Sequence, residues 1–463
     1  MKQTAIAFFL ICIIASCKRD ISEPSLQPIN IIVKAGYEKS NTGYGFPLAG
    51  ISIALKNIST GKTINQKSDD TGLGIFNGMM PGLYEIQGTF KMSKEDYENR
   101  TGDVTTQDSV SFNGILNGIT LNAATNNTLN LTISPGKIGD WVIKQVYYEG
   151  SGPNAALFRD QFIEIYNNSN DTLYADSLYF GVAAGAGTYN RNIDLSSGNY
   201  ITNESDILYK QFDWSKSVGM PAGIKSEATG KYIYIDALYR IPGSGIDHPV
   251  APGKSIVIAA TAQNHKAGYV DRDNHPIPVK DPSKTIDLSN ADFEVYLANI
   301  ISNPFTSDVD NTNIPNVIVN VNNARDLILD LTGREAYFIF KSDKPFPAFG
   351  EPASPQSYPR YPDPTVTADQ ISGATPTYYQ VPNDLLIDAV QVQNTIINNR
   401  HPRRLVAALD GGVTFAPGGL YSSQSIVRKI LKTVDGRKIY TDTNNSTNDF
   451  EYRVVTQPDT FDN

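Results

Sequence analysis

The chain has little of the chemistry that most metal proteins and many enzymes use. Only two of its 463 residues are cysteine and four are histidine, and both cysteines, Cys12 and Cys17, stand near the amino terminus. Beyond Cys17 there is therefore no thiol for a disulfide, a thiolate zinc site or a cysteine nucleophile. Stability must come from packing, which is sufficient in a chain of this length.

Long apolar runs are also scarce. The one pronounced run covers residues 5–15, follows Lys2, and is shorter than the roughly 20 residues that a membrane-spanning helix needs. A short apolar run behind a positive charge is typical of a secretory signal peptide. No second long apolar run follows, so this segment cannot be one of several spans.

The end of that run carries a possible lipidation site. Residues 14–17 read Ile-Ala-Ser-Cys, which resembles the lipobox of bacterial lipoproteins and implies acylation of Cys17. We therefore expect a signal peptide over residues 1–17, a tether over residues 18–27, and an outer-membrane lipoprotein on the periplasmic or cell-surface face. An ordinary signal peptide with a chance cysteine is the alternative. Each buried CH₂ contributes about 0.8 kcal/mol, so several acyl chains would form a permanent anchor.

Charge is sparse and slightly acidic. Charged residues make up 19% of the chain, and without residues 1–16 there are 38 basic and 48 acidic side chains, a net charge of -10. This balance argues against nucleic acid as a partner, because that affinity comes from lysine and arginine. It also excludes electrostatic adhesion to anionic lipid.

Turn formers and aromatic residues are plentiful, with 36 glycines, 27 prolines and 25 tyrosines. Together with β-branched residues, they favour strands and loops. We predict a mostly β protein of two sandwich-type units, the second larger, with long insertions and at most minor helix. One short helix is expected over residues 383–390, capped by Asn383 or Asp384.

The first predicted unit covers residues 28–135 and consists of short strands separated by turns. Residues 47–53, 68–72 and 80–86 carry a strand, an Asp-Asp-Thr-Gly turn and a Pro-Gly-Leu-Tyr strand start. This order resembles the carboxypeptidase-regulatory-like, prealbumin-like β-sandwich. The resemblance implies a spacer or docking module and no chemistry.

The second predicted unit covers residues 139–463. Phe-Ile-Glu-Ile-Tyr-Asn at 162–167, Ala-Pro-Gly-Lys-Ser-Ile-Val at 251–257, and Asp-Thr-Asn-Asn-Ser at 442–446 resemble the lamin-tail type of Ig-like sandwich. Long insertions separate these three segments. Residues 141–148, 162–168, 248–259 and 288–293 also resemble a family of uncharacterised bacterial lipoproteins, domain of unknown function 4876, which implies no activity and no catalytic residues.

Two segments contain oxygen and nitrogen ligands at close spacing. His265, Asp271, Asp273 and His275 could bind a metal, although a polar surface loop has the same composition. Residues 442–448 place oxygen ligands at alternate positions, as a calcium loop does, but Thr447 replaces the required glycine. We favour a hydrogen-bonded turn there, and predict no catalytic residue and no cofactor.

Glu164 stands in the middle of a predicted strand. The alternation of that strand places it on one face with Phe162 and Tyr166. It is either a half-buried acid with a raised pKa or, as we favour, a structural group paired with backbone or an arginine.

These observations predict an anchored binding or scaffold protein, accessory to outer-membrane uptake or adhesion, whose partner is an outer-membrane protein or a glycan. One alternative is a glycan-directed hydrolase, which would need two carboxylates roughly 5 to 9.5 Å apart across a cleft. The other is a structural component of the envelope.

Overall fold

A computed structural model describes residues 27–37, 39–102, 109–123, 127–135, 140–186, 200–202, 210–352, 354–434, 436–454 and 457–458. The predicted signal segment and Cys17 lie outside the described residues. Strands dominate and helix is minor, which confirms the predicted fold class. None of the helices in the described ranges is both long and apolar enough to cross a membrane.

The first unit is built from seven strands and one helix. In chain order these are β1 (Ile29–Tyr37), β2 (Ser52–Asn57), β3 (Thr63–Lys67), β4 (Leu73–Met79), β5 (Gly82–Ser93), α1 (Lys94–Thr101), β6 (Ser109–Leu121) and β7 (Thr128–Pro135). A 3-10 turn, Lys39–Tyr44, follows β1. The strands are ordered β3-β2-β5-β6-β7-β1-β4, and β6 and β7 pair over only two residues. The sheet therefore bends around one core, and β5 and β7 lie opposite each other across that core.

The turn before β4 shows how local chemistry shapes this unit. The Asp69 carboxylate accepts the backbone N–H groups of Thr71 at 2.8 Å and Leu73 at 2.9 Å. Gly72 has a positive φ of 83°, and a Cβ there would lie 2.3 Å from the carbonyl oxygen of Ala35. Only glycine fits both the backbone angle and the close approach.

The second unit contains the remaining strands and one short helix. They are β8 (Trp141–Tyr147), β9 (Phe162–Asn167), β10 (Leu173–Tyr174), β11 (Tyr179–Ala183), β12 (Tyr232–Arg240), β13 (Pro249–Val250), β14 (Ser255–Ala259), β15 (Tyr269–Val270), β16 (Pro276–Ile277), β17 (Phe293–Glu294), β18 (Ile318–Val321), β19 (Ala336–Phe340), β20 (Arg360–Tyr361), β21 (Tyr378–Pro382), β22 (Leu386–Gln391), β23 (Gln424–Arg428), β24 (Ile430–Val434), β25 (Arg437–Tyr440), α2 (Ser446–Asp449) and β26 (Phe450–Val454). Further 3-10 turns are Trp214–Lys216, Lys225–Glu227, Pro282–Lys284, Ala368–Gln370, Asn383–Leu385 and Ile397–Asn399.

Two large sheets form this unit. One has the order β20-β21-β12-β11-β19-β22, with β18 also paired to β12, and the other has the order β17-β14-β9-β8-β23-β26. Alternate side chains of both sheets share one buried core, among them Ile163, Ile165, Phe180 and Ile339. The two sheets therefore pack face to face, as in a β-sandwich.

The predicted helix over residues 383–390 is wrong. Only a 3-10 turn, Asn383–Leu385, forms there, and the chain then enters β22. β22 pairs with β19 and is buried on both faces, with Val390 in the core between the sheets and Leu386 in a cluster on the other side. Short apolar runs do not distinguish helix from a buried strand, and here sheet pairing decides.

We predict that residues 28–135 fold when expressed alone, because the buried cluster of the first unit consists only of residues from that range. A single cooperative transition in thermal or urea unfolding of the fragment is the expected result. A fragment without such a transition would show that the boundary between Pro135 and Gly136 is misplaced.

Candidate functional site

A cleft of about 550 Å³ opens on the face of the seven-stranded sheet that points away from the other sheet. This volume is within the range of small-ligand sites. Its lining comes from four parts of the chain. The lining residues are Glu227, Gly230, Lys231, Tyr232, Pro382, Asn383, Asp384, Leu386, Ile387, Asp388, Ala389, Val406, Ala408, Leu409 and Asn444.

Strand β22 forms the floor of the cleft and loops form its walls. Leu386 and Ala389 are buried in the floor, and Leu409 beside them is only partly covered. Ile387 is partly covered as well, and it also packs against the core between the two sheets. The side-chain amide of Asn383 donates to the carbonyl oxygen of Gly230 at 3.0 Å and ties two walls together. The cleft is therefore a fixed aliphatic surface with access from solvent.

The rim of the cleft carries both signs of charge. Lys231 Nζ lies 3.0 Å from Glu227 Oε1, with both side chains well exposed. Asp384 is exposed as well, and within the described part of the chain no ion pair involves its carboxylate. Tyr232 is the one aromatic residue in the lining. The rim thus presents one uncompensated negative charge above apolar walls.

A buried arginine lies beneath the floor. The guanidinium of Arg428 on β23 pairs with three buried aspartates: Asp388 at 2.5 Å, Asp442 at 3.1 Å and Asp449 at 3.6 Å. Its Nε donates to the carbonyl oxygen of Ile143 at 2.9 Å. Burial alone would lower the pKa of Arg428, but the three carboxylates raise it above its ordinary value. The arginine therefore stays charged and fixes the position of Asp388.

The segment considered for calcium is a hydrogen-bonded turn, as predicted. The Asn445 side chain caps α2 by accepting the N–H of Thr447 at 3.1 Å. The backbone N–H of Ser446 donates to Asp410 at 2.8 Å, and Asp449 accepts the N–H of Thr443 at 2.9 Å. These side chains are engaged within the protein.

The four residues considered for a metal do not form one cluster: His275 Nδ1 lies 3.7 Å from Asp271 Oδ1 in an exposed turn, whereas His265 is buried. His265 is buried, with Nε2 2.9 Å from the carbonyl oxygen of Thr261, and burial lowers its pKa to about 4. Asp271 accepts the backbone N–H groups of Asp273 and His275 at 2.9 and 2.8 Å, which closes an exposed turn. In the ranges that the structure describes, no group of three or more potential ligands is placed to hold a metal ion.

Glu164 lies on the outer face of the six-stranded sheet with Phe162 and Tyr166, as the alternation predicts. Its charged partner is Lys144 on β8, at 2.8 Å, and both side chains are fully buried. The sequence analysis expected backbone or an arginine as the partner, so the structural role is as predicted but the partner is a lysine. The register between β8 and β9 shifts at this point, which brings a lysine to the same face.

Several buried acids were not predicted from the sequence. Glu149 is 2% exposed, and burial raises its pKa to about 8, opposed by hydrogen bonds from Ser422 and Tyr148. Asp326 is fully buried, and burial and the neighbouring Asp308 raise its pKa. These acids lie at strand ends and in loops, where no periodic pattern marks a residue as buried.

The fold and the cleft define a mostly β protein with β-sandwich architecture and a candidate ligand site on its seven-stranded sheet. Residues 251–457 match the model of the family described as "Protein of unknown function (DUF4876)". This match confirms the resemblance to that family and includes most of the residues that line the cleft.

Three solved structures are similar to the chain. A DUF4876 family protein from Bacteroides thetaiotaomicron VPI-5482 has 23% identity and a TM-score of 0.48, with 93% of this chain and 96% of that chain covered. A DUF3823 family protein from Parabacteroides merdae ATCC 43184 has 13% identity and a TM-score of 0.14, covering 48% and 94%. BcpA, the major pilin subunit of Bacillus cereus, has 11% identity and a TM-score of 0.14, covering 81% and 97%. No curated protein matches the chain.

We predict that Arg428→Met lowers the free energy of unfolding by about 3–5 kcal/mol, because three buried carboxylates lose their cation. Arg428→Lys should cost less, since the charge remains but the planar fork is lost. The exposed pair of Arg453 and Glu451 offers the control: Arg453→Met should cost less than about 1 kcal/mol. Urea unfolding measures all three, and equal losses at the two arginines would contradict the structural role of Arg428.

The raised pKa of Glu149 predicts a pH-dependent stability. A carboxyl whose pKa is higher in the folded state, here about 8, stabilises the fold fully below its unfolded pKa of about 4.3, and this stability is lost as the pH rises through 8. Glu149→Gln keeps the neutral form, so the melting temperature of this variant relative to wild type should rise between about pH 5 and about pH 9. Glu351→Gln, at an exposed glutamate, is the control and should show a constant difference.

Proposed function

We propose that this protein is an extracytoplasmic lipoprotein, anchored in the outer membrane through Cys17, that binds a ligand in the cleft on its larger sheet. The observation that supports this proposal is the cleft. Its floor is a strand that is hydrogen-bonded to β19 and fixed from below by Arg428, so partly exposed aliphatic side chains such as Ile387 and Leu409 are held in place. Exposed apolar surface in a concave, preformed site is typical of ligand binding.

The anchor is proposed from the sequence at residues 14–17 and from the absence of another long apolar run. A net charge of -9 gives the chain no electrostatic attraction to anionic lipid. Acyl chains on Cys17 are the attachment that the sequence offers. The first unit, which resembles a spacer module, would then separate the larger unit from the membrane.

Binding is better supported than glycan hydrolysis. Sugars are commonly held on aromatic side chains, whose flat faces pack against the ring. The cleft has one aromatic residue, Tyr232, and aliphatic walls otherwise. A purely structural role in the envelope would not require a cleft of about 550 Å³ with exposed aliphatic lining.

We predict that Cys17→Ser releases the folded protein from the membrane fraction, because the acyl chains can no longer be attached. Cell fractionation with a high-salt wash measures the distribution, and labelling with a radioactive fatty acid tests the modification directly. Cys12→Ser is the matched control, since it removes the other cysteine and should leave both fractionation and labelling unchanged.

Membrane retention of the Cys17→Ser variant in high salt, or wild-type protein without label, would overturn the anchor. Retention through a protein partner is distinguished by extraction in mild detergent, which would release the variant together with that partner.

A further inference from the structure

The charged side chains around the cleft do not all have a counterion among the described residues. Asp388 faces the cleft from its floor, but its carboxylate is neutralised from below by Arg428 at 2.5 Å. Glu227 is neutralised on the rim by Lys231 at 3.0 Å. Asp384 has no such counterion among the described residues, so it is the exposed acid of the lining whose charge is left for a ligand.

The aliphatic walls beside Asp384 determine which uncharged groups a ligand needs. Ile387, Val406 and Leu409 are partly exposed, and Ala408 is exposed. Branched aliphatic side chains of this kind release water when an aliphatic group packs against them, which contributes about 25 cal/mol per Å² of apolar area buried. A matching ligand therefore joins an aliphatic group to a positive charge within the length of the cleft.

We propose that the cleft binds an extended peptide segment in which aliphatic side chains flank a lysine or arginine, with the cation at Asp384 and the aliphatic groups on Ile387, Val406 and Leu409. This inference rests on the proposed ligand-binding function and names the chemical class of the ligand. Electrostatic complementarity selects the cation and the apolar walls select its neighbours.

A peptide fits the lining better than a lipid or a sugar. The cleft is open to solvent, so a long acyl chain would remain partly in water, whereas short side chains can be covered. Asn444 adds an amide to the rim, and an amide can exchange hydrogen bonds with a peptide backbone. A neutral sugar lacks both the cation and the aliphatic groups that the cleft would accommodate, and an amino sugar lacks the aliphatic groups.

Three labelled peptides of identical length test the proposal: one with alternating leucine and lysine, one with glutamate in place of lysine, and one with glutamine. Fluorescence anisotropy measures their binding to the purified full-length protein in a mild uncharged detergent, with detergent alone as the blank. We expect the lysine peptide to bind up to about five-fold more tightly than the glutamine peptide, the size of one exposed charge pair, and the glutamate peptide to bind most weakly.

Two substitutions locate the binding. Asp384→Asn should remove the preference for lysine over glutamine but leave glutamine-peptide binding unchanged, whereas Asp343→Asn, at an exposed aspartate outside the lining, should preserve the preference. Ala408→Trp should weaken all three peptides by filling the cleft. Ala374→Trp, at an exposed alanine elsewhere, is its control.

The outcomes separate the two proposals. If all three peptides bind equally well and Ala408→Trp weakens the binding of each, the cationic class of ligand is refuted. The cleft would then remain a binding site. Binding that is unaffected by Ala408→Trp, or no binding of any peptide, would refute peptide binding in the cleft. Loss of membrane attachment in the Cys17→Ser variant is measured separately and depends on neither result.

Discussion

The buried guanidinium of Arg428 is the interaction on which the structure around the cleft depends. A charge removed from water must be compensated within the protein, and the three carboxylates that do so come from separate parts of the chain. Asp388 belongs to the seven-stranded sheet and Arg428 to the six-stranded sheet, whereas Asp442 precedes α2 and Asp449 is its last residue. One cation therefore joins both sheets and the turn that contributes Asn444 to the cleft.

The position of the cleft follows from how the two faces of the seven-stranded sheet are covered. β22 contributes Val390 to the core between the sheets and Leu386 to a second cluster on the opposite face. That second face is covered by loops rather than by another sheet, and loops cover a flat surface incompletely. The cleft lies between residues 406–409 and the start of β12, with the largely buried β22 as its floor.

The sequence predicts the parts of this structure that depend on local pattern. Alternation identifies β9, which pairs with β14 from Ser255 opposite Tyr166, and the Asp69 turn follows from side-chain chemistry alone. The sequence does not predict the parts of the structure that depend on contacts between distant segments of the chain. The segment after Asn383 becomes a strand because β19 pairs with it, and Glu164 meets Lys144 because of a register shift in a neighbouring strand. Neither contact leaves a signal in the local sequence, and the cleft, built from four separated segments, leaves none either.

The acids of the larger unit differ in what neutralises them, and this difference separates structural acids from the one assigned to ligand binding. Glu164 and Asp388 are buried against Lys144 and Arg428, so they serve the fold. Among the described residues no cation pairs with Glu149, and burial raises its pKa to about 8, which favours its neutral form. Asp384 is exposed on the rim of an apolar cleft, where its charge costs little in the free protein and gains most when a cation excludes the surrounding water. An acid in that position contributes more to the bound state than to folding, which is the property expected of a residue that selects a ligand.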